Sequence, residues 1–308
     1  MALRTVFFGT PETAVPFLRL LAAKTDLLAA VSQPDRPSGR GMTVTATPVK
    51  AEAQRLGVRV LQPAKPSEVA GELKDLHPDL AVVVAYGRIL RPDVLATPKL
   101  GCLNAHFSLL PKYRGAAPVQ WSLVRGETTT GVTLFWLDEG MDTGPIQAAA
   151  TVEVSPDEDA PALLARLTAL GVELLERQLA ELEAGRVTRE PQRGEASLAP
   201  LIKREDARID LTKDAKAVHD LVRGFRSWPR ASLGGDLVLK TALALPSDPP
   251  GKGVPGTVLS IERPRGILVE CGSRSRLWFL EVQSEGKKPL AAVDFANGRR
   301  LAVGSVLS

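Results

Sequence analysis

Gly101-Cys102-Leu103-Asn104-Ala105-His106-Phe107 runs into Ser108-Leu109-Leu110-Pro111 and then Arg114-Gly115-Ala116-Ala117-Pro118. The first seven residues read as a strand, and Asn104 and His106, two apart on it, share one face. Proline and glycine stop the strand, and Pro118 to Gly126 reads as a helix. Thr130 to Leu137 is the next strand, carrying Val132-Thr133-Leu134-Phe135-Trp136. It leads into Asp138-Glu139-Gly140-Met141-Asp142-Thr143-Gly144, a glycine-rich turn with Asp142 inside it. Strand, loop, helix and strand in this order set the pattern for the first half of the chain.

Toward the N-terminus the alternation continues. Arg4–Gly9 reads as a strand, followed by a helix with Thr10 as N-cap and Pro11 at its first position. Leu27–Ser32 is a strand, Thr47 and Pro48 open a helix that stops at Gly57, and a short helix spans Pro66 to Leu76. Asp79 to Ala85 is a buried strand, and Ala160 to Ala184 is a long amphipathic helix. Such alternation implies an α/β fold with a Rossmann-like, mostly parallel sheet. It carries no dinucleotide fingerprint: Gly9-Thr10-Pro11-Glu12-Thr13-Ala14 has a single glycine where three are needed. NAD is therefore not expected, and no Walker-type loop points to ATP.

An amide, an imidazole and a carboxylate then gather near neighbouring strand ends. If the strands bearing Asn104 and Asp142 are adjacent and parallel, both open onto one crevice at the carboxyl edge of the sheet. Asn104 can donate to a developing oxyanion. His106 can carry a proton or polarise a carbonyl. Asp142 can hold the imidazole in one tautomer and raise its pKa, or take a proton through a water. These are the parts for acyl transfer to an amine without a metal or a covalent intermediate. The other histidines have plainer readings, His77 before Pro78 at a helix end and His219 on an amphipathic helix.

Composition agrees. With 44% apolar and 24% charged residues, the 308-residue chain reads as a two-domain globular protein. Cys102 and Cys271 lie far apart without metal spacing, which argues against a disulfide scaffold or zinc site and suits a reducing, cytoplasmic setting. Cys102 reads as a small buried hydrophobe. No stretch has the length of a membrane span, and Met1 to Arg4 runs directly into a strand, leaving no room for a signal peptide.

Four motifs, Asn104-Ala105-His106, Ser108 to Pro111, Arg114-Gly115-Ala116-Ala117-Pro118 and Asp142-Thr143-Gly144, stand in order. Together they resemble the catalytic domain of the formyltransferases that use 10-formyltetrahydrofolate. The resemblance implies that Asn104, His106 and Asp142 form the catalytic set. It also implies that Ser108, Leu109, Leu110 and Pro111 line the folate site, with Val84, Ala85, Tyr86 and Gly87 as the opposite wall of the pterin slot.

The branch of the family is indicated upstream, in Gln33-Pro34-Asp35-Arg36-Pro37-Ser38-Gly39-Arg40-Gly41-Met42-Thr43. So many prolines and glycines predict an irregular loop, and its arginines suit phosphate. The loop resembles the insertion of the members that formylate methionyl initiator tRNA. This implies Arg36 and Arg40 as tRNA contacts and the α-amine of the methionyl group as formyl acceptor. A small-molecule formyltransferase or hydrolase on this scaffold, and a folate-dependent RNA-binding regulator without turnover, are the alternatives.

The pattern changes after about Arg189. Residues 1–189 are expected to be the catalytic domain, 190–207 a linker and 208–308 a small barrel. A helix over Lys213–Phe225 capped by Thr212 is followed by β-rich runs at Ser232–Leu245, Gly256–Glu262, Gly266–Cys271, Arg276–Val282 and Arg300–Val306. Five strands and one helix resemble an OB-fold-like β-barrel. From Leu201 onward 18 Lys and Arg face 12 Asp and Glu, a net +6 against +4 for the whole chain. The excess suits a sequence-indifferent grip on a phosphate backbone. Lys203 and Arg204 are the leading tRNA-binding candidates, with Arg208, Arg223, Arg226, Arg230, Arg299 and Arg300 behind them. This half departs from the family at Leu211, where members carry tryptophan after Ile-Asp, and around Gly224 to Ala231.

Overall fold

β6 (Leu80–Val84) is buried at all five positions, and every other strand of the main sheet is placed by its distance from it. The structure, a computed structural model, describes residues 2–38, 43–234, 237–245 and 253–307. Two compact units emerge. One comprises residues 1–118, 129–152 and 164–200, the other 119–128, 153–163 and 201–308.

In chain order the first part runs β1 (Arg4–Gly9), α1 (Val15–Lys24), β2 (Asp26–Val31), β3 (Arg36–Ser38), β4 (Thr43–Thr45), α2 (Pro48–Arg55) and β5 (Val60–Leu61). α3 (Ala70–Asp75), β6, α4 (Pro92–Leu95), β7 (Cys102–His106), α5 (Pro118–Val124), β8 (Thr129–Trp136), β9 (Ile146–Glu153) and α6 (Ala160–Glu183) follow. The seven-stranded sheet has the order β5-β2-β1-β6-β7-β8-β9. β5, β2, β1, β6 and β7 are parallel neighbours, giving the mostly parallel Rossmann-like sheet expected. On one face Val6, Phe8, Ala29, Val31 and Val83 pack with Leu73 and Val94. Phe7, alternate to them, is buried toward the other face.

The strand after the Asn-x-His segment departs from expectation. β8 lies beside β7 but antiparallel to it, with Leu103 opposite Trp136 and His106 opposite Thr133. A parallel pair needs a crossover that covers the sheet. Here residues 119–128, most of α5 among them, group with the second unit instead. The chain returns in the opposite direction at β8. Asp142 is not delivered by a strand end; the loop after β8 has to fold back to bring it to His106.

Two smaller differences have local causes. Thr10 does not cap α1: its hydroxyl donates to the Tyr86 carbonyl (3.0 Å), and a 3-10 turn at Glu12–Ala14 starts the helix instead. Thr47 does cap α2, accepting from the Lys50 amide at 3.2 Å. The expected irregular loop after β2 is bounded by a two-stranded ribbon, since β3 and β4 pair antiparallel with Arg36 opposite Thr45.

The second unit holds α7 (Ala215–Gly224), β10 (Ser232–Leu233), β11 (Leu237–Leu245), β12 (Val258–Glu262), β13 (Gly266–Glu270), β14 (Arg276–Ser284), β15 (Leu290–Ala291) and α8 (Ala292–Arg299). Its strands form an antiparallel sheet ordered β10-β11-β14-β13-β12, with β15 beside β14. Val258, Ile267, Val269, Leu277 and Phe279 pack with Val218 and Val222 of α7 in its core. The cap of α7 is Asp214, accepting from the Ala217 amide, while Thr212 donates to Asp210. The strand expected at Arg300–Val306 is absent: that segment makes a single bridge, Val306 to Thr257, and α8 precedes it.

Candidate active site

β6 and β7 run side by side with Val83 opposite Asn104, so Asn104 and His106 stand at the carboxyl edge of the parallel strands. The Asn104 side chain is half-buried, and no described residue hydrogen-bonds it. Its amide is thus free to donate to a ligand. His106 is buried, its ring edge-to-face with Phe135 at 6.2 Å. Nε2 lies 2.9 Å from the Tyr113 carbonyl. A carbonyl only accepts, so Nε2 carries the proton and Nδ1 is left as the basic nitrogen of the neutral ring. Nδ1 stands 3.6 Å from Asp142 Oδ2. Burial holds the His106 pKa below its ordinary value, with Asp142 and the Tyr113 carbonyl pulling the other way. The resting imidazole is therefore a neutral base facing a carboxylate.

Asp142 reaches that position in a left-handed backbone conformation, φ 54°. Its Oδ2 accepts from the Gly115 amide at 2.7 Å. Tyr113 and Ala85 are left-handed as well, with φ of 62° and 47°. Non-glycine residues held this way cluster where a structure must aim specific atoms. Gly115 has to be glycine: with φ 119°, a Cβ there would lie 2.6 Å from the Ala199 carbonyl oxygen.

Ser108 to Pro111 sit beside the His106 end of β7, but their side chains differ in use. Ser108 is fully buried and its hydroxyl donates to the Lys112 carbonyl at 2.6 Å, so it shapes the loop from within. Leu110 and Pro111 are buried and Leu109 half-buried. Thr133, directly opposite His106, locks the loop: its hydroxyl donates to the Ser108 carbonyl (2.7 Å) and accepts from the Leu110 amide (3.1 Å). Across the edge, Val84 and Tyr86 face inward. The Tyr86 ring packs edge-to-face on Phe8 at 5.3 Å, and its carbonyl accepts from Thr10 and Gln33. Only Ala85 and Gly87 of that segment are exposed.

The family model described as Formyl transferase matches residues 4–179, and that described as Formyl transferase, C-terminal domain, matches residues 201–300. The chain belongs to the formyl transferase family. A methionyl-tRNA formyltransferase of Myxococcus xanthus is 47% identical over 307 residues, covering 98% of this chain and 97% of that protein. One of Geobacter metallireducens is 43% identical over 308 residues, with the same coverages. Among solved structures, HypX of Aquifex aeolicus in complex with tetrahydrofolic acid shares the fold, with a TM-score of 0.62 at 21% identity. The alignment covers 98% of this chain and 48% of HypX, so the chain spans about half the length of that protein.

In this formyl transferase the basic candidates outside the Asn-His-Asp group differ in availability. Arg36 is exposed on β3, whose base is tied down by Asp35 accepting from Lys50 and Gln62. Arg40 lies outside the described residues. Lys203 and Arg204 are exposed. Arg223 is not a surface grip: it is buried, bonded to Asp220 at 2.7 Å and to the Glu158 carbonyl. Arg226 is also engaged, holding the Lys240 carbonyl and Thr241. Lys240 is the extra residue of a bulge in β11, which leaves that carbonyl outside the ladder. Trp228, two residues before Arg230 in the chain, is 54% exposed. Burial, with Arg230 and Arg226 nearby, holds the Lys240 pKa below its ordinary value.

Sequence reasoning missed Thr133, Gln192 and Ser197. Gln192 donates to the carbonyls of Asp142 and Gly144, and Ser197 accepts from the Tyr113 amide. They lie in or beside stretches that look featureless, because each acts on backbone atoms.

Proposed function

We propose that this protein transfers the formyl group of 10-formyltetrahydrofolate to the α-amine of methionyl initiator tRNA, as a methionyl-tRNA formyltransferase. The observation that carries the reading is His106: a buried neutral imidazole, fixed by Tyr113 with Nδ1 toward Asp142, beside an unpartnered Asn104 amide. The full-length similarity to two methionyl-tRNA formyltransferases supports the choice of acceptor.

The folate co-substrate binds against Ser108–Pro111, with exposed Ala85 and Gly87 opposite. When the amine attacks the formyl carbon, a C–N bond forms and the carbonyl oxygen becomes an oxyanion. Asn104 donates to that oxygen. His106 Nδ1 takes the amine proton, directly or through water, and the imidazolium stabilises the negative charge. Asp142 steadies the imidazolium. As the C–N10 bond breaks, His106 returns the proton to N10 and the carbonyl reforms. One proton has moved from amine to N10, and the enzyme is unchanged. Arg36, Arg40, Lys203 and Arg204 hold the RNA through its phosphates. Among the described residues no helix is long and apolar enough to cross a membrane. Two buried free thiols support a reducing, cytoplasmic setting.

The test is formyl transfer to methionyl initiator tRNA by the wild type and by Asn104→Ala. Loss of an oxyanion donor costs on the order of 100- to 1000-fold in rate. Near-full turnover by Asn104→Ala refutes the assignment. Release of formate without transfer to tRNA keeps the chemistry and removes the acceptor.

A further inference from the structure

The stretch read as a linker is bonded into the first unit, and one of its side chains grips the Asp142 loop. Gln192 Nε2 donates to the Asp142 carbonyl at 2.8 Å and to the Gly144 carbonyl at 2.9 Å. Its Oε1 accepts from Arg114, Nη2 at 2.6 Å and Nε at 3.2 Å. Both amide hydrogens and the oxygen are therefore in use. A guanidinium on one side and two carbonyls on the other permit a single orientation of the amide.

Arg114 is itself fixed by this stretch. Its amide donates to the Ser197 carbonyl (2.8 Å), and its carbonyl accepts from the Ala199 amide (2.7 Å). The next residue, Gly115, presents its N–H to Asp142 Oδ2. The backbone and the carboxylate of Asp142 are thus held by one braced assembly: the backbone by Gln192, the carboxylate by the Arg114-Gly115 turn. A left-handed aspartate keeps its conformation only when neighbours impose it.

We propose that Gln192 is a positioning residue that sets the Asp142 carboxylate against His106 Nδ1. The inference rests on the reading of His106 and Asp142 as the proton-handling pair. Gln192 touches no reacting atom; it acts by fixing the loop that bears one. Without it, the loop from Gly140 to Gly144 loses two main-chain anchors, and the carboxylate moves relative to the imidazole. Misplacement of a reacting group by about 1 Å can cost on the order of 100-fold.

The experiment compares Gln192→Ala, Gln192→Glu and Asp142→Asn in the full chain. Steady-state formyl transfer is measured, with the His106 ring titration followed by NMR. Gln192→Glu is nearly isosteric and can still accept from Arg114, but it cannot donate to the two carbonyls, so it separates donation from bulk. Both Gln192 variants should lose about 10- to 100-fold in kcat, with KM for tRNA little changed. The Asp142 carboxylate favours the imidazolium, so drawing it away should shift the His106 titration further toward acid. A residue with only a structural role would not move that titration. The double variant Gln192→Ala with Asp142→Asn should be no slower than Asp142→Asn alone. If Asp142→Asn changes neither rate nor titration, the reading of the pair fails. If Asp142→Asn is impaired while both Gln192 variants keep wild-type kcat and titration, the pair stands and the role of Gln192 is overturned. Should Gln192→Ala not fold, Gln192→Glu decides alone by a fall in kcat at unchanged KM, because its own carboxylate also favours the imidazolium and so bears on the His106 titration.

Discussion

Replacing Thr133 by valine tests how the loop from Ser108 to Pro111, proposed to hold the folate, is kept in place. Thr133 is fully buried on β8, and its hydroxyl bonds both the Ser108 carbonyl and the Leu110 amide. Valine has nearly the same shape but leaves both backbone groups without a partner inside the protein. Each buried unsatisfied group costs about 1–3 kcal/mol, so the pair costs about 2–6 kcal/mol. Serine keeps the hydroxyl and loses one buried methyl, which costs about 1 kcal/mol. The expected order of stability is threonine, serine, valine. Hydrophobicity alone puts valine above serine. Because the chain has two units, a global melt is a poor ruler. Hydrogen exchange of the Leu110 amide reads the loop locally. At about 1.4 kcal/mol per tenfold, Thr133→Val should lose roughly one and a half to four decades of protection, and Thr133→Ser less than about one. KM for the folate co-substrate should rise in the valine variant and stay near wild type in the serine variant. A valine variant as well protected as the serine variant refutes the reasoning.

Three further outcomes are expected. The Arg55 and Arg19 guanidiniums hold the Glu52 carboxyl down to about 2. Its contribution to stability is therefore complete above the unfolded value of 4.5 and is lost as the pH falls toward 2, so Glu52→Gln should flatten the dependence of Tm on pH in that window. An unaltered slope contradicts it. Burial pushes the thiols of both Cys102 and Cys271 up to about 12, so iodoacetamide at pH 8 should modify neither in the native protein and both in urea. Trp228 is exposed, two residues before the exposed Arg230, whereas Trp136 and Trp278 are buried. Stacking of an unpaired base is worth about 1–3 kcal/mol, so Trp228→Ala should raise KM for tRNA roughly 5- to 150-fold at unchanged kcat, and an unmoved KM removes Trp228 from the RNA surface.

What could be read beforehand was what local pattern controls. Leu80 to Val84 announces a doubly covered strand by its unbroken apolar run, and the spacing of Asn104 and His106 assigns them one face whatever surrounds them. The direction of β8 could not be read, because the apolar run Val132 to Trp136 is equally compatible with a parallel or an antiparallel neighbour. α8 was missed for a related reason: Ala292 to Arg299 includes asparagine, glycine and valine, and its buried face is only Ala292, Val293 and Ala296. Charge counting likewise treated Arg223 as a surface cation, whereas Asp220, three residues earlier, neutralises it in the interior. Thr10 looked like a helix cap until the Tyr86 carbonyl claimed its hydroxyl.

The candidate site divides along the same line. Asn104, His106 and Asp142 are visible in sequence because their chemistry resides in their side chains. Thr133 and Gln192 are invisible because they serve main-chain groups of Ser108, Leu110, Asp142 and Gly144, whose need for a partner exists only once the loops are folded. Asp142 joins the two classes. Its backbone is left-handed, which glycine adopts most easily, yet glycine has no carboxylate to offer His106. Aspartate and asparagine are the non-glycine residues that tolerate this conformation best. Asp142→Asn should therefore keep the backbone, and the bond its oxygen accepts from Gly115, while removing only the charge. A fall in rate in that variant then measures the electrostatic support of the imidazolium, whereas a fall in Gln192→Glu measures the cost of letting an intact carboxylate drift.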